Sequence, residues 1–141
     1  MAKIFFDTNL FIYIFEQHPL LEADVRRIRE RMLLRGDALL TSAMTVGEIL
    51  FKPVQDSRWD IERRYLEFFR SSSVDVVPFD LKAGPIYARI RQDQSVRPAD
   101  AVQLACASAA GVDLFVTNDE RLSKTPVKGI QFITSLARCP L

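Results

Sequence analysis

The segment KIFFDTNLFIYIF, residues 3–15, places one acidic residue between two apolar runs. Residues 4–6 are typical of a short buried strand, and residues 10–15 are typical of an apolar helix that follows it. Asp7 stands at the junction of the two. Because burial of a charge is unfavourable unless a partner compensates it, the segment predicts that Asp7 faces a polar or cationic group.

The length and composition of the chain predict one compact domain spanning residues 1–141. A hydrophobic fraction of 48% and a charged fraction of 26% are ordinary for a soluble globular protein. The net charge is only +1, so a polyanionic partner would be held by a local basic patch or by bound cations. The longest apolar run is residues 10–15, and no signal-peptide core precedes it, so we expect a cytoplasmic protein without a membrane span.

The scarcity of cysteine and histidine excludes several kinds of site. Cys106 and Cys139 are the only thiols, which is too few for a disulfide framework or a zinc pattern. His18 is the only histidine, and no nucleophile motif lies near it, which argues against Ser-His-Asp and Cys-His sites. A nuclease mechanism that needs two histidines is impossible.

Short strand-like runs alternate with helical segments along the chain. Beyond residues 4–6, strands are predicted at residues 38–42, 74–79, 113–117 and 131–133. Helices are predicted up to residue 15, at about residues 20–34 before Gly36, around residues 46–50, at about residues 57–70, up to about residue 94, and from Pro98 to Gly111. This alternation predicts a three-layer α/β/α fold with a central parallel sheet of four to five strands.

Four acidic residues are predicted near the ends of these elements. Asp7 follows the first strand, Asp119 follows the fourth, Glu48 lies in the helix after the second, and Asp100 lies in the first turn after Pro98. Ligands of open parallel sheets bind outside the carboxyl ends of the strands. We therefore expect the four acids to converge at one edge of the sheet.

Each acid also has a local explanation. Asp7 and Asp119 are suitable caps for a helix and a turn. Glu48 lies three residues after Thr45, which is the spacing of a capping box. Asp100 near a helix N-terminus is favoured by the helix dipole alone.

If the four acids do converge, they need a cation. Two carboxylates about 4 Å apart repel each other by roughly 4 kcal/mol at an effective dielectric constant near 20. Arg97 and Arg121 are close enough in sequence to help. A set of oxygen ligands favours Mg²⁺ or Mn²⁺, and such ions activate water and stabilise charge on a phosphodiester without any histidine.

The order of these motifs resembles the PIN domain, and most closely the VapC-type toxins of bacterial and archaeal toxin–antitoxin pairs. The matching residues are Asp7-Thr-Asn9, Ser42-x-x-Thr45-x-x-Glu48, Arg97-Pro-Ala-Asp100-Ala and Thr117-Asn-Asp119. The resemblance spans about residues 3–134. It implies a PIN-like fold and a Mg²⁺-dependent (or Mn²⁺-dependent) endoribonuclease.

The same resemblance implies the roles of individual residues. The catalytic and metal-binding acids would be Asp7, Glu48, Asp100 and Asp119. The residues that support them would be Thr8, Asn9, Thr45, Thr117 and Asn118.

Basic side chains near the acids are candidates to hold RNA phosphates. Arg89, Arg91 and Arg97 lie closest to Asp100 in the sequence. A second basic set, Arg27, Arg31 and Arg35, shares one helical face, but nearby acids also explain that set as an ordinary solvated surface.

The first helix is more apolar than one buried stripe requires. Phe11, Tyr13 and Phe15 cannot all share one face of a helix. An antitoxin segment or the second subunit of a homodimer would cover the remainder. The alternative is that the helix at residues 57–70 covers it.

The sequence as a whole predicts a metal-dependent endoribonuclease that is the toxin of a type II toxin–antitoxin system. Two other functions are compatible with parts of it. One is a catalytically silent PIN-domain binding scaffold, against which the complete set of four acids argues. The other is an aspartyl-nucleophile phosphatase of the dehalogenase type, whose D-x-D motif would need a second acid where this chain has Asn9.

Overall fold

The computed structural model describes all residues, 1–141. Its strands are β1 (Lys3–Phe6), β2 (Ala38–Ser42), β3 (Asp75–Val77), β4 (Leu114–Thr117) and β5 (Phe132–Ser135). Its α-helices are α1 (Thr8–Phe15), α2 (Glu22–Arg35), α3 (Ala43–Gln55), α4 (Trp59–Arg70), α5 (Ala83–Ile90) and α6 (Pro98–Ala109). A short 3₁₀ turn at Leu122–Lys124 follows β4.

The five strands form one sheet in the order β3-β2-β1-β4-β5, and every neighbouring pair is parallel. β1 is the central strand. It is paired on one side with β2 and on the other with β4. The predicted three-layer α/β/α fold with four to five parallel strands is confirmed.

Alternation along the strands divides the core into two layers. Ile4 and Phe6 join a cluster on one face with side chains of α1, α2, α3 and α4. Phe5 points to the other face, where it stacks on Phe115 with ring centroids 5.0 Å apart and joins side chains of α6. Burial on both faces explains why β1 is a continuous apolar run, as is usual for a strand in the centre of a parallel sheet.

Two predicted elements are shorter in the structure. β3 ends at Val77 rather than at residue 79, because Pro78 has no N–H to donate to a neighbouring strand. α5 ends at Ile90 rather than near residue 94. The chain turns there, and the side chain of Asp93 accepts a hydrogen bond from the backbone N–H of Ser95.

The surplus apolar surface of α1 is covered within the chain. Phe11 packs edge-on against Phe69, with ring centroids 5.4 Å apart. Phe15 stacks on Tyr65 at 4.6 Å and contacts Phe68 at 5.4 Å. The aromatic face of α4 is therefore the main cover of α1, and the composition of α1 gives no independent reason to expect a partner. None of the helices has the length and apolarity needed to cross a membrane.

Candidate active site

The carboxyl edge of the sheet gathers residues from four elements around one pocket. Since β1 lies between β2 and β4, Asp7 and Asp119 leave adjacent strands side by side. α3 follows β2 directly and carries Glu48, and α6 packs against β2 and carries Asp100. An open pocket of about 450 Å³ is lined by all four acids together with Thr8, Asn9, Ile12, Arg97, Ala99 and Gln103.

Asp7 is the buried acid of the pocket, with 8% of its surface exposed. Its Oδ1 accepts hydrogen bonds from the backbone N–H of Thr8 at 2.8 Å and from Gln103 Nε2 at 3.3 Å. Its Oδ2 accepts from Thr117 Oγ1 at 2.7 Å. Burial raises the pKa of Asp7, the three hydrogen bonds oppose that rise, and the charge of Asp100 adds to it. No basic side chain pairs with Asp7.

Glu48 is held by a hydroxyl rather than by a helix cap. Its Oε1 accepts a hydrogen bond from Thr8 Oγ1 at 2.7 Å. The predicted capping box of Thr45 and Glu48 is wrong, because Thr45 is the third residue of α3 and the helix is capped by Ser42, whose Oγ accepts from the Thr45 N–H at 3.3 Å. Thr45 Oγ1 instead lies 3.0 Å from Thr8 Oγ1 and so belongs to the pocket network.

Arg97 bridges the remaining two acids. Its Nε lies 3.3 Å from Asp100 Oδ2 and its Nη2 lies 3.5 Å from Asp119 Oδ2. Arg121 Nη2 lies 3.0 Å from the same Asp119 oxygen, and this hydrogen bond holds the pKa of Asp119 below its ordinary value. Both guanidinium side chains are about two-thirds exposed, at 65% and 67%. The positive charge beside these two acids thus comes from arginines that reach solvent.

The other three acids also make the local contacts that their positions suggested. Asp7 caps α1 through the Thr8 N–H, and Asp119 Oδ1 accepts from the Arg121 N–H at 2.9 Å. Asp100 lies in the first turn of α6. Local capping and a shared pocket therefore coexist at the same residues.

Sequence reasoning missed Gln103. This residue of α6 is 2% exposed, and its Nε2 reaches Thr45 Oγ1, Thr8 Oγ1 and Asp7 Oδ1. The available signal was its position three residues after Asp100, on the same face of an otherwise alanine-rich helix.

Only some of the predicted supporting and RNA-binding residues contact the acids or line the pocket. Thr117 bonds Asp7, but Asn118 donates to the Tyr13 hydroxyl instead. Of the candidate arginines, Arg97 lines the pocket. The other two form hydrogen bonds with residues of α5: Arg89 donates to the Pro85 carbonyl and Arg91 donates to the Tyr87 hydroxyl.

The donor chemistry of the pocket fits a hard divalent cation. Its ligand atoms are carboxylate and hydroxyl oxygens, which Mg²⁺ and Mn²⁺ prefer, and the buried Asp7 carboxylate has no cationic partner. The arrangement of these side chains is not yet that of a metal site, because no three or more Asp, Glu, His or Cys side chains are close enough together to hold a metal ion. Two of the four acids are engaged with Arg97 instead.

Comparison with solved structures identifies the fold. The crystal structure of VapBC2 from Rickettsia felis bound to promoter DNA matches with a TM-score of 0.76 and 16% identity, covering 94% of this chain and 98% of that chain. DNA-bound VapBC from Salmonella typhimurium matches with a TM-score of 0.69 and 24% identity, covering 96% and 99%. The VapBC-5 toxin–antitoxin structure from Mycobacterium tuberculosis matches with a TM-score of 0.62 and 19% identity, covering 96% and 98%. At these identities the likeness establishes a shared fold.

Sequence comparison identifies the family. No curated protein matches the chain. Residues 4–128 match the model of the PIN domain, a range that includes β2, β3, β4, all but the first residue of β1, and all four acids of the pocket. The predicted family is confirmed, and this chain belongs to the PIN domain family.

Proposed function

We propose that the protein is a metal-dependent endoribonuclease that cleaves RNA phosphodiester bonds and is the toxin of a type II toxin–antitoxin pair. The observation that carries this proposal is the convergence of Asp7, Glu48, Asp100 and Asp119 on one pocket at the carboxyl edge of a PIN-domain sheet. The absence of any histidine or cysteine from that pocket favours chemistry based on oxygen ligands.

The roles of the four acids in binding a metal ion would differ according to how deeply each is buried. Asp7 is the fixed ligand, because three hydrogen bonds leave its carboxylate little freedom. Glu48 faces the same pocket from α3, while Asp100 and Asp119 lie at the arginine-lined rim. Mg²⁺ or Mn²⁺, when bound by these residues, would lower the pKa of a water molecule and neutralise charge that develops on the phosphodiester.

Arg97 and Arg121 are the basic groups best placed to meet the RNA backbone. Both contact Asp119 and both remain largely exposed. With a cation held by the acids, the guanidinium groups of Arg97 and Arg121 would be free to hold phosphate oxygens at the rim, in the bidentate manner that arginine favours. A local contact of this kind is needed, because the net charge of +1 attracts RNA only weakly.

An antitoxin partner is part of the proposal. The three solved structures compared above are VapBC toxin–antitoxin structures. A cleft of about 270 Å³ between α1, α3 and α4 adjoins Glu48 and is lined in part by Ile12, Ile49 and Tyr65. Charged side chains, including Lys52 and Arg58, complete the lining. An amphipathic segment of a small antitoxin would fit there, next to the acids. We also propose a homodimer, since two-fold dimers are the commonest oligomers.

The test is an RNase assay on protein freed of any bound partner. We expect cleavage with Mg²⁺ or Mn²⁺ and none with EDTA. Asp119→Asn should lose activity, whereas Glu120→Gln, its exposed neighbour outside the pocket, should retain it. Undiminished cleavage in EDTA would exclude the mechanism.

A catalytically silent scaffold is the second candidate. The observation in its favour is that Arg97 occupies two of the acids and that no metal-binding group of three is preformed. Calorimetric titration with Mn²⁺ separates the two functions. Absence of both Mn²⁺ binding and cleavage would establish the scaffold. The phosphatase of the dehalogenase type loses its support, because the chain belongs to the PIN domain family and has Asn9 in place of a second acid.

A further inference from the structure

Gln103 is the centre of a buried hydrogen-bond network that joins three elements. Its Nε2 lies 2.7 Å from Thr45 Oγ1, 3.1 Å from Thr8 Oγ1 and 3.3 Å from Asp7 Oδ1. Its Oε1 accepts a hydrogen bond from Ser42 Oγ. One side chain of α6 thus ties the N-terminus of α1 to the N-terminus of α3.

The network has only one consistent direction. Thr8 has a single hydroxyl hydrogen, and it is donated to Glu48, because an ionised carboxylate only accepts. The Thr8 oxygen can then only accept from its other neighbours, Thr45 Oγ1 and Gln103 Nε2. Because the Thr45 hydroxyl donates its only hydrogen to Thr8 Oγ1, Thr45 Oγ1 accepts a hydrogen bond from Gln103 Nε2. The orientation of the Gln103 amide follows from these constraints.

The same constraints hold at the other end of the amide. The oxygen of Ser42 accepts from the Thr45 N–H, which leaves its hydrogen for Gln103 Oε1. An inverted amide would place an acceptor against Asp7 and a donor against the Ser42 hydroxyl.

The Gln103 NH₂ group has two hydrogens for three nearby acceptors. One hydrogen directed to Asp7 and one to Thr45 satisfy every group, because Thr45 then donates to Thr8 and Thr8 donates to Glu48. The donors therefore run outward from Gln103 and end on two carboxylates, directly on Asp7 and through Thr45 and Thr8 on Glu48.

We infer that Gln103 is a positioning residue that orients Asp7 and Glu48 together for binding a divalent cation. This inference rests on the proposed function, since it concerns the same pocket. Asp7 caps α1 and Glu48 lies in α3. On this inference, the spacing of these two acids is set by Gln103 of α6, a side chain that is not itself a ligand. A merely structural role would predict lost stability with unchanged metal affinity.

The experiment compares variants by calorimetric titration with Mn²⁺ at a temperature where each is folded. Gln103→Met keeps the length of the side chain and removes its donors. Gln103→Asn keeps an amide but withdraws it by one methylene. Cys106→Ala is the matched control, because Cys106 is a buried residue of α6 that contacts the Pro78 carbonyl and lies outside the pocket.

We expect both Gln103 variants to bind Mn²⁺ about 10- to 100-fold more weakly, the range typical of residues that orient metal ligands. Cys106→Ala should lower the melting temperature and leave the Mn²⁺ affinity unchanged. If Gln103→Met does not fold, Gln103→Asn decides the question. Wild-type affinity in a folded Gln103 variant would overturn the inference and leave the proposed function intact. Failure of the wild type to bind Mn²⁺ would overturn both.

Discussion

At the scale of the residue, Asp7 combines burial with a negatively charged neighbour, Asp100. Its folded-state pKa is raised above the ordinary value of 3.8, chiefly by burial. Between pH 3.8 and the folded-state pKa, the folded protein therefore retains a proton on Asp7 that the unfolded chain has lost. The stability that this proton contributes is full below pH 3.8 and is lost as the pH rises through the folded-state pKa. Above that folded-state pKa, an Asp7 carboxylate without a cation destabilises the fold.

Replacement of Asp7 by asparagine should remove that penalty. In EDTA near neutral pH, Asp7→Asn should melt a few degrees above the wild type, which corresponds to a free energy of unfolding about 1 kcal/mol higher. The amide is neutral, and the Thr117 hydroxyl can rotate to accept a hydrogen bond from it. The difference should shrink as the pH falls through the folded-state pKa of Asp7 and should be gone below pH 3.8, where the wild-type carboxyl is neutral in both the folded and the unfolded state. Melting curves across pH measure it.

The same variant should separate a metal ligand from a simple helix cap. We expect Asp7→Asn to abolish cleavage, and we expect Mg²⁺ to raise the melting temperature of the wild type much more than that of the variant. Asparagine serves almost as well as aspartate at a helix N-cap. A variant that still cleaves RNA, or that melts lower than the wild type in EDTA, would show that Asp7 only caps α1.

Arg97 should compete with a cation for its two acids. Removal of this guanidinium in Arg97→Ala should strengthen Mn²⁺ binding by about two- to fivefold, because exposed ion pairs are worth up to about 1 kcal/mol. Arg89→Ala is the control, since Arg89 makes no ion pair and does not line the pocket. Calorimetric titration gives both affinities. Weaker Mn²⁺ binding in Arg97→Ala would mean that Arg97 positions the two acids for the cation rather than competing with the cation for them.

At the scale of the element, the contact between α1 and α4 corresponds to one of the two explanations that the sequence left open, in which a neighbouring helix covers α1. Phe69 of α4 is buried and packs on Phe11 and Phe15. Phe69→Ala should lower the free energy of unfolding by about 3–5 kcal/mol, as is typical when a buried phenylalanine is truncated. Urea denaturation measures this. Phe51→Ala, at a side chain that is 66% exposed, should change it by less than about 0.5 kcal/mol.

At the scale of the whole molecule, the open cleft between α1, α3 and α4 predicts association with another chain. We expect the protein to form a homodimer or a complex with a small antitoxin, because the cleft beside Glu48 is open and is lined in part by apolar side chains. Light scattering after size-exclusion chromatography gives the mass. A monomer at high micromolar concentration, with no protein co-purifying from the native source, would contradict the prediction.

Much of the molecule is determined by the sequence itself, because its signals are local. The apolar run before Asp7 indicates β1, and the Pro98 start and Gly111 end define α6 within a residue or two. Gly36 ends α2 in a left-handed conformation with φ of 75°, which glycine adopts readily. The four acids were likewise recognisable, since each lies at or near the end of a predicted element.

Only the tertiary structure decided which of these local features meet. The strand order places β1 between β2 and β4, and this order brings the acids to one pocket. Gln103 reaches Asp7 across 96 positions of sequence, and Arg97 joins two acids that no local pattern pairs. The reason is physical. Periodicity reports which face of an element is buried, whereas partners across the core are chosen by packing and hydrogen-bond satisfaction in three dimensions.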